Sequence, residues 1–123
     1  MIKLNENGTV RLAGLQLEMD VALYVVEKHY DKCKLDTVIT AGTEEFDKTG
    51  NLYHSKGSYH PRGYALDFRS REISTALYAQ FVKDVQTDLH TLSLAYDVCE
   101  EGDHMHVEYD VKKAFILSNG DLI

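Results

Sequence analysis

The sequence predicts an α+β fold, a small antiparallel sheet packed against two helices, in a single domain spanning residues 1–123. Three observations lead there. Two segments carry apolar residues at helical spacing, two others alternate apolar and polar residues as half-buried strands do, and no repeat, low-complexity tract or Pro-rich linker divides the chain. A chain of this length can build one core without covalent staples.

Asn7-Gly8 before Thr9-Val10-Arg11-Leu12 predicts a turn and a short strand. Leu15, Met19, Ala22, Val26 and Tyr30 then recur in steps of four and three, which predicts an amphipathic helix ending near Lys32. His29, close to that end, is expected to be solvated, where a cation suits the negative helix terminus. Between Leu35 and Gly42, Thr37-Val38-Ile39-Thr40 predicts a buried strand stopped by Ala41-Gly42. The polar stretch from Thr43 to Gly57 predicts a loop of the length often used as a lid or substrate rim. Glu44 and Glu45 read as solvated charges there, and His54 as a surface or rim histidine.

Gly63 to Phe68 predicts a strand with Tyr64, Leu66 and Phe68 on one face and Ala65 and Asp67 on the other. Gly63 itself, lacking a Cβ, suits the turn into that strand. Ser70 or Ser74 is placed to cap a second helix, which packs through Tyr78, Val82, Val85, Leu89 and Leu92. His90 is expected to be structural or exposed. Leu94 to Val98 starts a return strand, and beyond Gly102 the alternation resumes. Met105, Val107 and Tyr109 share one face there, with His104, His106 and Glu108 on the other. Phe115-Ile116-Leu117 predicts a last strand before a turn at Ser118-Asn119-Gly120-Asp121.

Composition excludes several partners. The formal charge is −7 with Lys and Arg scattered, so no nucleic-acid footprint is present, and simple adhesion to anionic polymers is disfavoured too. No apolar run approaches the ~18 residues of a membrane span. No secretory signal follows Met1-Ile2-Lys3, so the expected location as synthesised is cytoplasmic, and the expected state is a monomer. Cys33 and Cys99 are too far apart for a Cys-x-x-Cys pair and read as two reduced, partly buried thiols, with a disulfide between them in an oxidising compartment as the alternative.

The chemistry concentrates in Ser58-Tyr59-His60-Pro61-Arg62-Gly63-Tyr64-Ala65-Leu66-Asp67 and in Asp103-His104-Met105-His106. Zinc takes imidazole nitrogen and carboxylate oxygen, and a catalytic site uses three protein ligands with a fourth position open. An early histidine and aspartate plus a histidine from a second strand supply such a set, and the strand faces allow Asp67 and His106 to meet in one cleft.

At these residues the chain resembles the zinc D-Ala-D-Ala carboxypeptidases and the related phage peptidoglycan endopeptidases, which share the hedgehog/DD-peptidase fold. Their first motif is S-x-H-x-x-G-x-A-x-D, matched by Ser58, His60, Gly63, Ala65 and Asp67. Their second is a carboxylate, two residues and a histidine, matched by Asp103 and His106. The resemblance spans roughly Thr37 to Tyr109. It implies one zinc ion per chain held by His60, Asp67 and His106, Asp103 as general base, and a peptidoglycan peptide as substrate; His104, on the same strand face as His106, is a candidate to hydrogen-bond the developing oxyanion or to orient Asp103. Ser58 and Arg62 are candidates for binding that substrate, with closure of the turn before Pro61 as the alternative for Ser58; Arg69 is a further candidate clamp. Delivery to the cell wall would fall to a phage lysis system or to the virion.

Rival readings stay open. Glu101-Gly102-Asp103-His104 has the same carboxylate-x-x-His spacing, which would make His104 the ligand and Glu101 the base; His106 and Asp103 are preferred because Gly102 leaves Glu101 harder to hold, and Glu100 ranks below both. Beyond a peptidase, the motifs also admit a non-catalytic metal-binding module for recognition or virion assembly, or a domain whose histidines are structural.

Overall fold

The computed structural model describes residues 1–6, 8–45 and 57–121, and the expected roles of His54 and most of the Thr43 to Gly57 loop lie outside them. The elements run β1 (Ile2–Leu4), α1 (Leu17–Lys32), β2 (Thr37–Ala41), β3 (Ala65–Arg69), α2 (Thr75–His90), β4 (Tyr96–Glu101), β5 (His104–Tyr109) and α3 (Val111–Asp121). The strands form one five-stranded sheet in the order β1-β2-β3-β5-β4. The fold is α+β as expected, with two corrections: the sheet is mixed, because β1 lies parallel to β2, and there are three helices rather than two.

One face of the sheet carries the core. Leu66 and Phe68 of β3 and Met105 and Val107 of β5 cluster there with Met19, Ala22, Val26 and Tyr30 of α1 and with Phe81, Val85 and Leu89 of α2. The helical stripes read from the sequence cover the sheet, except that on α2 Phe81 joins the core and Leu92 does not. Removing this apolar area from water stabilises the fold at about 25 cal/mol per Å². Strand side chains alternate, so burying one face turns the intervening residues of β3 and β5 onto the opposite face together.

Several expectations fail for identifiable reasons. Thr9 to Leu12 forms no strand; the amide of Arg11 instead donates to the Glu44 carboxylate at 2.9 Å. The strand expected at Phe115-Ile116-Leu117 is part of α3. Asp110 starts that helix, its Oδ1 accepting the amides of Lys112 and Lys113 at 3.0 and 3.1 Å, which satisfies two of the orphan donors of the first turn. Leu92 and Leu94 lie outside α2 and β4 and are exposed. Ser74 occupies the position before α2, but its hydroxyl makes no capping bond.

His29 is buried rather than solvated, its Nε2 lying 2.6 Å from Asp88 Oδ2 so that α1 and α2 are tied together. His90 is structural, its ring bonded to the Tyr96 carbonyl at 2.7 Å. Cys33 and Cys99 are both free, and both are exposed rather than partly buried. Among the described residues, no helix is long and apolar enough to cross a membrane.

Candidate metal centre

The open face of the sheet is built by register. In the antiparallel pair of β3 and β5, Asp67 stands directly opposite His106 and Arg69 opposite His104. Directly opposed residues project from the same face with Cβ atoms about 5 Å apart, so one pairing brings an aspartate and a histidine together across some forty residues of sequence. His60 arrives from the turn before β3. That turn is closed by the Tyr64 amide donating to the Tyr59 carbonyl at 3.0 Å and by the His60 amide donating to Ser58 Oγ at 3.1 Å. Gly63 has φ +82°, and a Cβ there would collide with the Gly14 carbonyl oxygen, so this turn needs glycine on two grounds.

The three side chains converge. His106 Nδ1 lies 2.8 Å from Asp67 Oδ1, and His60 Nε2 lies 3.3 Å from Asp67 Oδ2. The two imidazole rings meet edge to face with centroids 5.2 Å apart. One donor atom from each of His60, Asp67 and His106 fits within 4.8 Å of the others, so the trio could hold a metal ion. The three line one side of an open cleft of about 820 Å³, together with Tyr59, Arg69, Glu101, Asp103, His104 and Glu108.

The outer nitrogens of the two rings are both engaged. His60 Nδ1 donates to the Gly42 carbonyl at 3.0 Å; a carbonyl only accepts, so Nδ1 carries the proton and Nε2 faces Asp67. His106 Nε2 donates to Glu108 Oε1 at 2.7 Å, which leaves Nδ1 facing Asp67. Acceptors behind the ring that fix tautomer and orientation are the usual company of metal-binding histidines. Neither Gly42 nor Glu108 stands out in the sequence for this purpose, although Glu108 lies on the same strand face as His106.

Electrostatics follow from the crowding. Burial alone would raise the Asp67 carboxyl, but hydrogen bonds from His106 and His60 outweigh it and hold the group well below the usual carboxylate range. Burial would lower His106, yet its bonds to Asp67 and Glu108 win and push it up to about 9. His104 is raised against its burial chiefly by the bond to Asp103 and by the charge of Asp67, and that same bond holds Asp103 below its ordinary value.

The remaining candidates divide. His104 Nδ1 is 3.0 Å from Asp103 Oδ1, while its Nε2 is 3.2 Å from Glu101 Oε2 and 3.6 Å from Asp67 Oδ2. Both rival carboxylates therefore sit on His104, with Glu101 on the nitrogen that faces Asp67 and Asp103 on the far one. Among the described residues His104 belongs to no trio of donors as close as that of His106. The Arg62 guanidinium lies over the rings of Tyr59 and Tyr64 at 5.1 and 6.0 Å, whereas Arg69 lines the cleft and donates to Asn5 Oδ1 at 2.9 Å. Glu44 is the residue most misread from sequence: it is 5% exposed, with its carboxylate turned onto backbone amides. Comparison with protein-family models, with curated proteins and with solved structures returned no match.

Proposed function

We propose that the protein is a zinc-dependent metallopeptidase acting on peptidoglycan stem peptides, as a D-Ala-D-Ala carboxypeptidase or an L-Ala-D-Glu type endopeptidase, with a hedgehog/DD-peptidase-like fold. The observation that carries this reading is the meeting of His60, Asp67 and His106 at one point of an open cleft. Two imidazoles with their outer nitrogens engaged and one carboxylate are a donor set suited to zinc, and the motifs these residues occupy resemble those of the zinc peptidases.

His60, Asp67 and His106 would hold the zinc ion, which when bound would supply a Lewis acid able to lower the pKa of water from about 15.7 toward about 7 and to polarise a carbonyl. The chain's own groups do the rest. Asp103, kept ionised by the His104 bond, accepts a proton from the attacking water and passes it to the leaving amine. His104, bonded to Asp103 through Nδ1, orients that carboxylate and donates toward the oxygen on which charge develops. Such proton transfer contributes about 10²–10⁴-fold in rate. Glu101 is a second reading for the base, favoured by its place on the His104 nitrogen that faces Asp67. Ser58 supports the His60 turn through its hydroxyl, and substrate contacts fall to the cleft lining, where Arg69 offers a planar fork to a carboxylate; Arg62, stacked over Tyr59 and Tyr64, is the second candidate clamp.

Digestion of purified murein by the zinc-loaded protein, followed by mass spectrometry of the muropeptides, tests this reading. Release of D-Ala or division of the stem peptide supports it and names the bond. Intact muropeptides despite stoichiometric zinc would favour the alternative, a non-catalytic metal-binding module for recognition or virion assembly.

A further inference from the structure

We infer that Glu44 is a positioning residue for the metal centre, fixing the tautomer and aim of His60 through the backbone of Gly42. The inference rests on the reading of His60 as a ligand, and every link in it is a short contact. The Gly42 amide donates to both oxygens of the Glu44 carboxylate, at 2.9 and 2.8 Å, and the Arg11 amide donates to Oε1 at 2.9 Å. The peptide group that follows Gly42 is pinned as well, because the Thr43 amide donates to the Arg11 carbonyl at 2.6 Å. Glu44 thus holds one flanking peptide group directly, and the other through Arg11.

The second of those peptide groups carries the Gly42 carbonyl that accepts from His60 Nδ1 at 3.0 Å. No slack is left at Gly42, where a Cβ would collide with the Arg11 carbonyl oxygen. A buried carboxylate facing amide donors forms charge-assisted bonds about twice as strong as neutral ones. The carbonyl on which His60 depends is therefore held by a carboxylate that acts through the backbone of Gly42 and Arg11. The loss of the expected strand at Thr9 to Leu12 has the same origin, since the Arg11 amide is committed to this carboxylate instead of to a neighbouring strand.

The test replaces Glu44 by Gln, which presents an NH₂ group where a carboxylate oxygen accepted. Glu44→Asp keeps the charge but lacks the reach to span both amides, and it carries the test if the Gln protein does not fold. Val85→Ala, a truncation in α2 within the core, serves as a control for general loss of stability. Two readouts are taken: zinc affinity by chelator competition, and the His60 tautomer by long-range proton–nitrogen NMR without zinc. The expected result is zinc affinity weakened by about 10–100-fold in the Glu44 variants, with the His60 Nδ1–H no longer held in one hydrogen-bonded form, while Val85→Ala keeps the native affinity. Glu44 variants that match Val85→Ala in both readouts would overturn the inference and leave Glu44 a merely structural residue. If the native protein binds no zinc, the metal reading fails by itself; a changed His60 tautomer then still sustains the positioning role, and an unchanged one removes it.

Discussion

β3 and β5 present two faces with opposite properties from the same ten or so residues. On the inner face Leu66, Phe68, Met105 and Val107 are wholly buried; on the outer face Asp67, His104, His106 and Glu108 line the cleft. The inner face sets the register by burial, and the outer face depends on that register, since Asp67 meets His106 only while the strands pair as they do. A slip of one residue would exchange the two faces entirely. The cluster that could hold a metal is thus kept in place by the core behind it, while its own polar bonds decide the aim of each ring.

That division can be broken first from the inner side. Phe68→Ala is expected to cost about 3–5 kcal/mol, a large part of the roughly 5–15 kcal/mol by which a domain is stable. Denaturant unfolding would measure it, and metal binding should fall only through unfolding. Substitutions on the outer face should do the reverse. Asp103→Ala, whose side chain is 95% exposed, should retain zinc and full stability while murein cleavage drops by about 10²–10⁴-fold. If Asp103→Ala cleaves at the native rate and Glu101→Ala does not, the base is Glu101.

A milder prediction concerns pH. His106 is raised to about 9, so in chelator-treated protein its stabilising contribution is complete below about pH 6.5 and is lost as pH rises through about 9. Asp67 is depressed, so its contribution is present above the ordinary carboxylate range and lost only in strong acid. Zinc competes with the His106 proton, and its affinity should move the other way, rising with pH up to about 9 and releasing protons on binding. Thermal melts and zinc titrations between these limits check both trends; a zinc affinity that stays flat across them would separate His106 from the metal.

The same contrast explains what could be read in the sequence. Inner-face and helical positions were legible because burial imposes a period: Met19, Ala22, Val26 and Tyr30 on α1, and Leu66, Phe68, Met105 and Val107 on the strands, repeat as their elements require. The cleft residues were legible because a strand that buries one face must show the other, and because their motif resembles a known one. What escaped has no period. β1 is an exposed edge whose parallel pairing to β2 is a tertiary contact. Phe115 and Ile116, 70% and 67% exposed, read as a strand because apolar residues invite that reading, whereas the Asp110 cap starts a helix there. His29 and Glu44 read as solvated charges in the sequence because their partners, Asp88 and the amides of Arg11 and Gly42, come together only in the fold.

The most direct test of the metal centre is elemental analysis of purified native protein beside His60→Ala, each first confirmed to be folded. One zinc per native chain and none in the variant is the predicted result. Stoichiometric zinc in folded His60→Ala would contradict it.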